Sequence, residues 1–272
     1  MNKRVMSGIT GTLFVLVVLF FGQRCPWVIN IIAAIISALA TGEIFSVIGI
    51  TKKYYITVPT LAFVSILPIF GYATVWQGTL YIYSLAIFFI MILNPKEELK
   101  IISLVYTMAL VIAFGLGSIS KLRALSDEFG SFYVLLALSI AWLSDTGAYF
   151  SGKLFGKNKL CPEISPKKTI EGFIGGILLC VSSLVIIACI FNNLVFAQKH
   201  FVNYFLVIIL GLIGSLISAL GDLSFSVVKR KYGVKDFGKI VPGHGGILDR
   251  FDSVIFVAPY VFLFLKIIKI IS

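Results

Sequence analysis

Nine apolar runs of bilayer length follow one another along this chain, and nothing else in the sequence limits the fold as severely. They fall at about 5–22, 27–49, 55–75, 78–94, 100–118, 131–150, 172–193, 202–225 and 252–271. A helix crosses the hydrocarbon layer in roughly 17–25 residues. With no water there, every backbone N–H and C=O must be satisfied within the chain, so runs of this length predict helices rather than strands. The composition agrees: 59% of the 272 residues are apolar and 13% are charged, against about 25% charged in a soluble domain. One soluble core of this size could not hide so much apolar surface. Disorder, a fibrous protein and a disulfide scaffold are excluded on the same ground. The expected fold class is an all-α polytopic membrane protein with about nine transmembrane helices. Glu43 interrupts the second run.

Suppose the N-terminus and the loops after the even-numbered runs share one side. That side holds Lys3, Arg4, Lys52, Lys53, Lys96, Lys100, the five lysines within 151–171 and the six basic residues within 229–250, seventeen of the 23. The other side holds Arg24, Lys121, Arg123, Lys199, Lys266 and Lys269. The positive-inside bias therefore puts the N-terminus and both long loops in the cytoplasm. Most of the net charge of +11 then faces the cytoplasmic leaflet. There it favours anionic lipids and anionic soluble substrates, and it is not the footprint of a nucleic-acid-binding surface. Lys3 and Arg4 ahead of an apolar run could begin a cleaved signal peptide, but no convincing small-residue cleavage site stands near Gly22 and another span follows at once, so a signal-anchor is the expected reading. Cys25, Cys161, Cys180 and Cys189 form no CxxC pair and no ligand spacing, so neither a disulfide nor a metal is assigned to them. Cys180 and Cys189 fall inside a predicted helix as small apolar fillers. No internal repeat is visible.

Only twelve carboxylates exist, so each can be read singly. Glu97, Glu98, Asp127, Glu128 and Glu163 fall in loops. Glu43, Asp145 and Asp222 fall in or at the ends of apolar runs, where each would cost about 2.5–3.5 kcal/mol at a helix centre. In the eighth run, Gly211/Ser215 and Gly214/Ser218 are small-residue pairs that admit a close neighbour helix. On a helical period Ser218, Asp222, Ser226 and Lys229 or Arg230 share a face. An Asp222–Lys229 or Asp222–Ser226 pairing could do no more than satisfy a buried charge.

The loop that follows carries more chemistry. Gly243, Gly245 and Gly246 surround His244 and give a backbone that can enter positive φ and turn N–H groups toward an anion. A helix starts soon afterwards, so its N-terminus is expected to point at the same place. Asp249 and Asp252, three apart, would share a helical face. Carboxylates beside phosphate-binding backbone and basic side chains are the parts that hold Mg2+ against a nucleoside triphosphate. Taken singly, the glycines could be a tight turn and the aspartates helix caps. All of them within about thirty residues exceed what turn chemistry requires. His244 could be a phosphate ligand, a proton shuttle or a turn-stabilising donor. The first long loop adds Lys153, Lys157 and Lys159, then Lys167, Lys168 and Thr169 beside the start of the seventh helix. Lys168-Thr169 echoes the end of a P-loop without its upstream glycines or strand. Lys157 and Lys159 fit the positive-inside bias, whereas Lys167, Lys168 and Thr169 are expected to touch a phosphate.

The stretch with Ser226, Lys229-Arg230, Lys235-Asp236, Pro242 to Gly246, Asp249-Arg250 and Asp252 resembles the signature of the phosphatidate cytidylyltransferases, also called CDP-diacylglycerol synthases. Gly221-Asp222, the 165–172 segment and the Asp145 to Tyr149 turn resemble the family too, and the similarity covers roughly 140–260. What the resemblance implies is transfer of CMP from CTP to phosphatidic acid, giving CDP-diacylglycerol and pyrophosphate, in the inner membrane of a bacterium. It implies a Mg2+-dependent two-cation centre on Asp222 and Asp249, with potassium associated. Ser226, Lys229, Arg230, Lys235, Asp236, His244 and Asp252 carry over as motif residues.

The physics of that reaction agrees. A lipid phosphate is already a nucleophile at neutral pH, so no protein nucleophile is needed; the difficulty is bringing two polyanions together and stabilising the leaving pyrophosphate. The expected catalytic residues are Asp222, Ser226, Lys229 and Asp249. The expected substrate contacts are Lys167, Lys168, Thr169, Arg230, Lys235, Asp236, Gly243, His244, Gly245, Gly246, Arg250 and Asp252. The organisation expected is N-terminal transmembrane helices over 1–130 and a catalytic transmembrane region with two cytoplasmic loops over 131–272. Partners are CTP, phosphatidic acid and membrane lipid, with a homodimer left open. A CTP-dependent lipid or polyprenol kinase and an anionic-solute transporter are the rivals. A CDP-alcohol phosphotransferase would need a longer spread of carboxylates than Asp249 to Asp252 supplies.

Overall fold

In the computed structural model of the chain, residues 2–70, 73–195, 200–240 and 245–271 are described. Among them nine α-helices occur: α1 (Asn2–Arg24), α2 (Pro26–Ile48), α3 (Tyr54–Ile69), α4 (Ala73–Leu93), α5 (Leu99–Ala124), α6 (Gly130–Phe155), α7 (Ile170–Ile190), α8 (Tyr204–Lys231) and α9 (Leu248–Ile267). A π-helical turn, Phe191–Val195, continues α7. Two short antiparallel strands, β1 (Lys159–Cys161) and β2 (Ser165–Thr169), form a ribbon between α6 and α7 in sequence. The helices match the nine apolar runs one for one. Six are long and apolar enough to cross a membrane: Pro26–Ile48, Val75–Leu93, Leu99–Ala124, Gly130–Phe155, Ile170–Leu194 and Tyr204–Lys231. Thr10–Arg24 and Tyr54–Ile69 are apolar but shorter, and α9 opens on Asp249, Arg250 and Asp252.

The chain forms two compact units, Met1–Ser131 with Lys231–Phe251, and Phe132–Arg230 with Asp252–Ser272. In the first, α2 packs on α3 and α5, and α3 also meets α4. Its core is built from Phe45, Ile56, Phe63, Val64, Tyr83, Ile102, Val105 and Ala109, with Phe63 stacked on Tyr83 at 4.3 Å. Pro26 opens α2, and Gly49 at φ +82° ends it in the left-handed conformation that L side chains avoid. At the far end of α5 the buried Arg123 donates to the carbonyls of Gly22, Gln23 and Ser126, one from each guanidinium nitrogen, so its charge is met by backbone acceptors.

The second unit is a bundle held by small residues. A Cβ on Gly176 would lie 2.7 Å from the Ser144 carbonyl, and one on Gly172 the same distance from that of Ala148, so α6 and α7 meet backbone to backbone. Gly211 admits Val181 and Leu184 of α7, and Gly214 admits Ile140 of α6 and Tyr260 of α9. Ser218 donates to the Ala141 carbonyl at 3.4 Å. Cys180 is fully buried between the carbonyls of Ile140 and Gly211, at 3.8 and 3.9 Å. Large apolar side chains also face outward, Leu178 at 66% and Phe205 at 69% exposure. Such a surface suits lipid better than water.

Candidate active site

In the second unit the polar chemistry gathers where α6, α8 and α9 carry Asp145, Asp222 and Asp252. Asp222 receives the ammonium of Lys168 at 2.5 Å and, from one turn further along α8, the Ser226 hydroxyl at 3.4 Å. Asp145 accepts from the buried Ser253 hydroxyl at 3.0 Å. It also feels the charges of Asp222, Asp252 and Lys168. Asp252 takes the ammonium of Lys229 at 3.7 Å, both side chains under 10% exposed, and the backbone N–H of Ser253 at 2.8 Å. The pairing of Asp222 with Lys229, one of the options on the helical period, is therefore not made. Lys229 goes to Asp252, and Asp222 is met by a lysine from the ribbon.

The ribbon explains why Lys168 is there. Lys159 pairs with Thr169, and Cys161 with Ser165; this turns the lysine-rich segment back alongside α6. Thr169 accepts from the Gly172 N–H at 3.1 Å and caps α7. Glu171 accepts from the N–H groups of Lys157 and Asn158 and closes the base of the loop. A cavity of about 310 Å³ opens here, with Asp145, Tyr149, Lys153, Lys167, Lys168 and Asp222 on its wall. Lys157 and Lys159 are exposed and line no part of it.

The second loop belongs to the first unit. Asp249 accepts on Oδ2 from the N–H of Phe237 at 2.8 Å and of Gly246 at 3.0 Å. Glu43 accepts from the N–H of Ile247 at 2.9 Å and of Leu248 at 2.8 Å, one on each oxygen. Three of the backbone donors at the start of α9, those of Gly246, Ile247 and Leu248, are thus engaged by two of the chain's own carboxylates. Gly245 sits at φ +87°, where glycine is at ease and other residues are strained. Gly243 and His244 lie outside the described residues. Lys235, Asp236 and Arg250 are exposed. Arg230, also exposed, donates from Nε to the Ile164 carbonyl at 3.2 Å in the second unit.

Among the described residues no three His, Cys, Asp or Glu side chains converge closely enough to enclose a metal ion. The donors present are carboxylate and hydroxyl oxygens, the set that suits Mg2+, which is commonly held by one or two carboxylates with the rest of its shell from phosphates and water. The two N–H groups on Asp249 fix its orientation as outer-shell bonds fix metal-ligating carboxylates. Sequence reasoning did not find the bonds of Glu43 to the loop, although its cost inside an apolar run was the signal. Ser253, an ordinary serine beside an aspartate, gave none.

Fold and site together define a helical protein with membrane-length spans and a paired-charge pocket among its C-terminal helices. Residues 2–268 match the cytidylyltransferase family, and the chain belongs to it. It is 47% identical over 141 residues to the phosphatidate cytidylyltransferase of Bacillus subtilis (strain 168), covering 52% of this chain and 50% of that one. To that of Staphylococcus haemolyticus (strain JCSC1435) it is 44% identical over 164 residues, 60% of each chain. The chain thus spans about half to three-fifths of these two relatives. Against the phosphatidate cytidylyltransferase of Staphylococcus aureus (strain COL), the match is 36% over 268 residues, 95% of this chain and 96% of the relative.

Proposed function

We propose that this chain transfers CMP from CTP to phosphatidic acid, releasing pyrophosphate and supplying CDP-diacylglycerol for phospholipid synthesis in a bacterial inner membrane. A phosphate oxygen of the lipid attacks the α-phosphorus of CTP; the bond to the β-phosphate bridging oxygen breaks, and pyrophosphate leaves with that electron pair. The observation that carries the reading is the Asp222–Lys168 pair on a cavity wall that also presents Lys153 and Lys167, in a chain of this family. Cationic groups at a water-poor boundary neutralise phosphates that would otherwise repel one another.

Lys153, Lys167 and Lys168 neutralise substrate phosphate, and Lys229 balances Asp252. Asp222, in the second unit, and Asp249, in the first, are each a carboxylate that would hold Mg2+, with potassium as the associated monovalent ion. Bound Mg2+ supplies charge neutralisation on the phosphate oxygens and on the pyrophosphate as it departs. All nine helices cross the membrane, with the N-terminus and both long loops cytoplasmic, so that CTP arrives from water and the lipid from the leaflet.

The test is purified protein in detergent with CTP, phosphatidic acid and Mg2+, scoring pyrophosphate. Asp222→Asn and Asp249→Asn should each remove most turnover while Lys157→Ala changes little; near-normal activity in either aspartate variant sinks the metal assignment. Formation of CDP and a phosphorylated lipid would instead identify a kinase. Counterflow of an anionic solute without CTP turnover would identify a transporter.

A further inference from the structure

We propose that Glu43, on α2, is a positioning residue for the nucleotide loop: it holds the start of α9, and through it Asp249, in the arrangement that CTP requires. The inference rests on the reading above, in which the segment around 235–252 handles CTP.

Glu43 is 5% exposed in an otherwise uncharged helix, so its charge must be matched by donors. The match is bidentate, with Oε1 accepting from Ile247 N–H and Oε2 from Leu248 N–H. The preceding donor, Gly246 N–H, goes to Asp249. Three consecutive amides are therefore divided between two carboxylates, and any shift of 246–248 turns Asp249 as well. The glycines report the same constraint. A Cβ on Gly238 or on Gly246 would collide with the Glu43 carboxylate, whereas neither residue has the positive φ found at Gly245. Two of the loop's glycines thus leave the room that the hydrogen-bonded carboxylate occupies, and a methyl group at either would have to displace it. An ordinary helix is capped by its own preceding residue. Here the cap comes from α2, which gives the N-terminal helices a part in the chemistry of a distant loop.

The experiment compares wild type, Glu43→Gln, Glu43→Ala, Gly246→Ala and Glu43→Ala/Gly246→Ala, with Ser46→Ala, on the exposed side of α2, as control. An amide cannot accept on both atoms, so Glu43→Gln should raise the KM for CTP by about tenfold while the KM for phosphatidic acid stays within about twofold, a spread too small to mark a lost interaction. Gly246→Ala should reproduce that split. The double variant should be no worse than Glu43→Ala alone, because the methyl group then has room. A second readout does not use turnover: CTP should slow tryptic cleavage at the exposed Lys235 and Lys239, and Glu43→Gln should need more CTP for the same protection. Glu43→Gln with wild-type KM for CTP, or with both substrates' KM raised equally, overturns the proposal. So does a double variant in which the two defects simply add. If Glu43→Ala does not fold, Glu43→Gln and Gly246→Ala decide. Wild-type protein that makes no pyrophosphate would defeat the cytidylyltransferase reading, whereas active wild type with indifferent Glu43 variants would defeat only this inference.

Discussion

Single side chains make sharp predictions because each buried charge has named partners. Removing Glu43 as Glu43→Ala strands the amides of Ile247 and Leu248; each unsatisfied buried donor costs about 1–3 kcal/mol. Thermal unfolding in detergent should therefore fall by several degrees relative to Ser46→Ala. A second prediction concerns pH. Lys53 first, and Tyr55 second, hold the Glu97 carboxyl below the ordinary glutamate range. A depressed folded-state pKa means that the contribution is complete above the unfolded value and is lost as pH falls through the folded one. The stability difference between wild type and Glu97→Gln should thus vanish on acidification; a difference that persists would point to packing instead of charge. The acids themselves were legible in the sequence, since a carboxylate in an apolar run is costly enough to need a reason. Their partners were not. Neighbours at helical spacing suggest Lys229 for Asp222, but Lys168 reaches Asp222 from a different element and leaves Lys229 to Asp252.

Helices were the most legible elements, because the requirement for internal hydrogen bonding in hydrocarbon leaves a long apolar run little else to become. Their ends were less so. The expected fifth run stops at 118, yet α5 continues to Ala124, since Arg123 finds three carbonyls at its far end. The eighth continues to Lys231, carrying Ser226 and Lys229 on helical backbone. The β1–β2 ribbon left no signal: 159–169 is short, polar and without alternation. The small-residue pairs on α8 were visible, whereas the closer approach of α6 and α7 through Gly147, Gly172 and Gly176 emerges only from their packing. Two substitutions test these elements. Thr169→Ala removes the cap of α7 and should cost about 0.5–2 kcal/mol. Gly176→Val drives a side chain at the Ser144 carbonyl and should cost about 1–3 kcal/mol or more. Thermal unfolding reads both, and a neutral Gly176→Val would contradict the backbone contact.

At the scale of the molecule, sequence order and spatial grouping diverge. Residues 231–251 follow the helices of the second unit along the chain, yet they group with the first, where Glu43 receives them. Two hydrogen bonds join residues some two hundred positions apart there. Orientation can be tested by introducing single cysteines into a cysteine-free background: replacements of Lys96 and Lys239 should react with an impermeant reagent from the cytoplasmic face, and one of Lys121 from the opposite face. The reverse pattern would invert the assignment. The native thiols offer a different opportunity. Cys25 and Cys189 are exposed and Cys161 is half-buried, while Cys180 is sealed among α6, α7 and α8. Titrated with a small maleimide in detergent and weighed by mass spectrometry, intact protein should stop short of a fourth adduct. The moment at which that adduct appears on heating would time the parting of those three helices, with no label added by design.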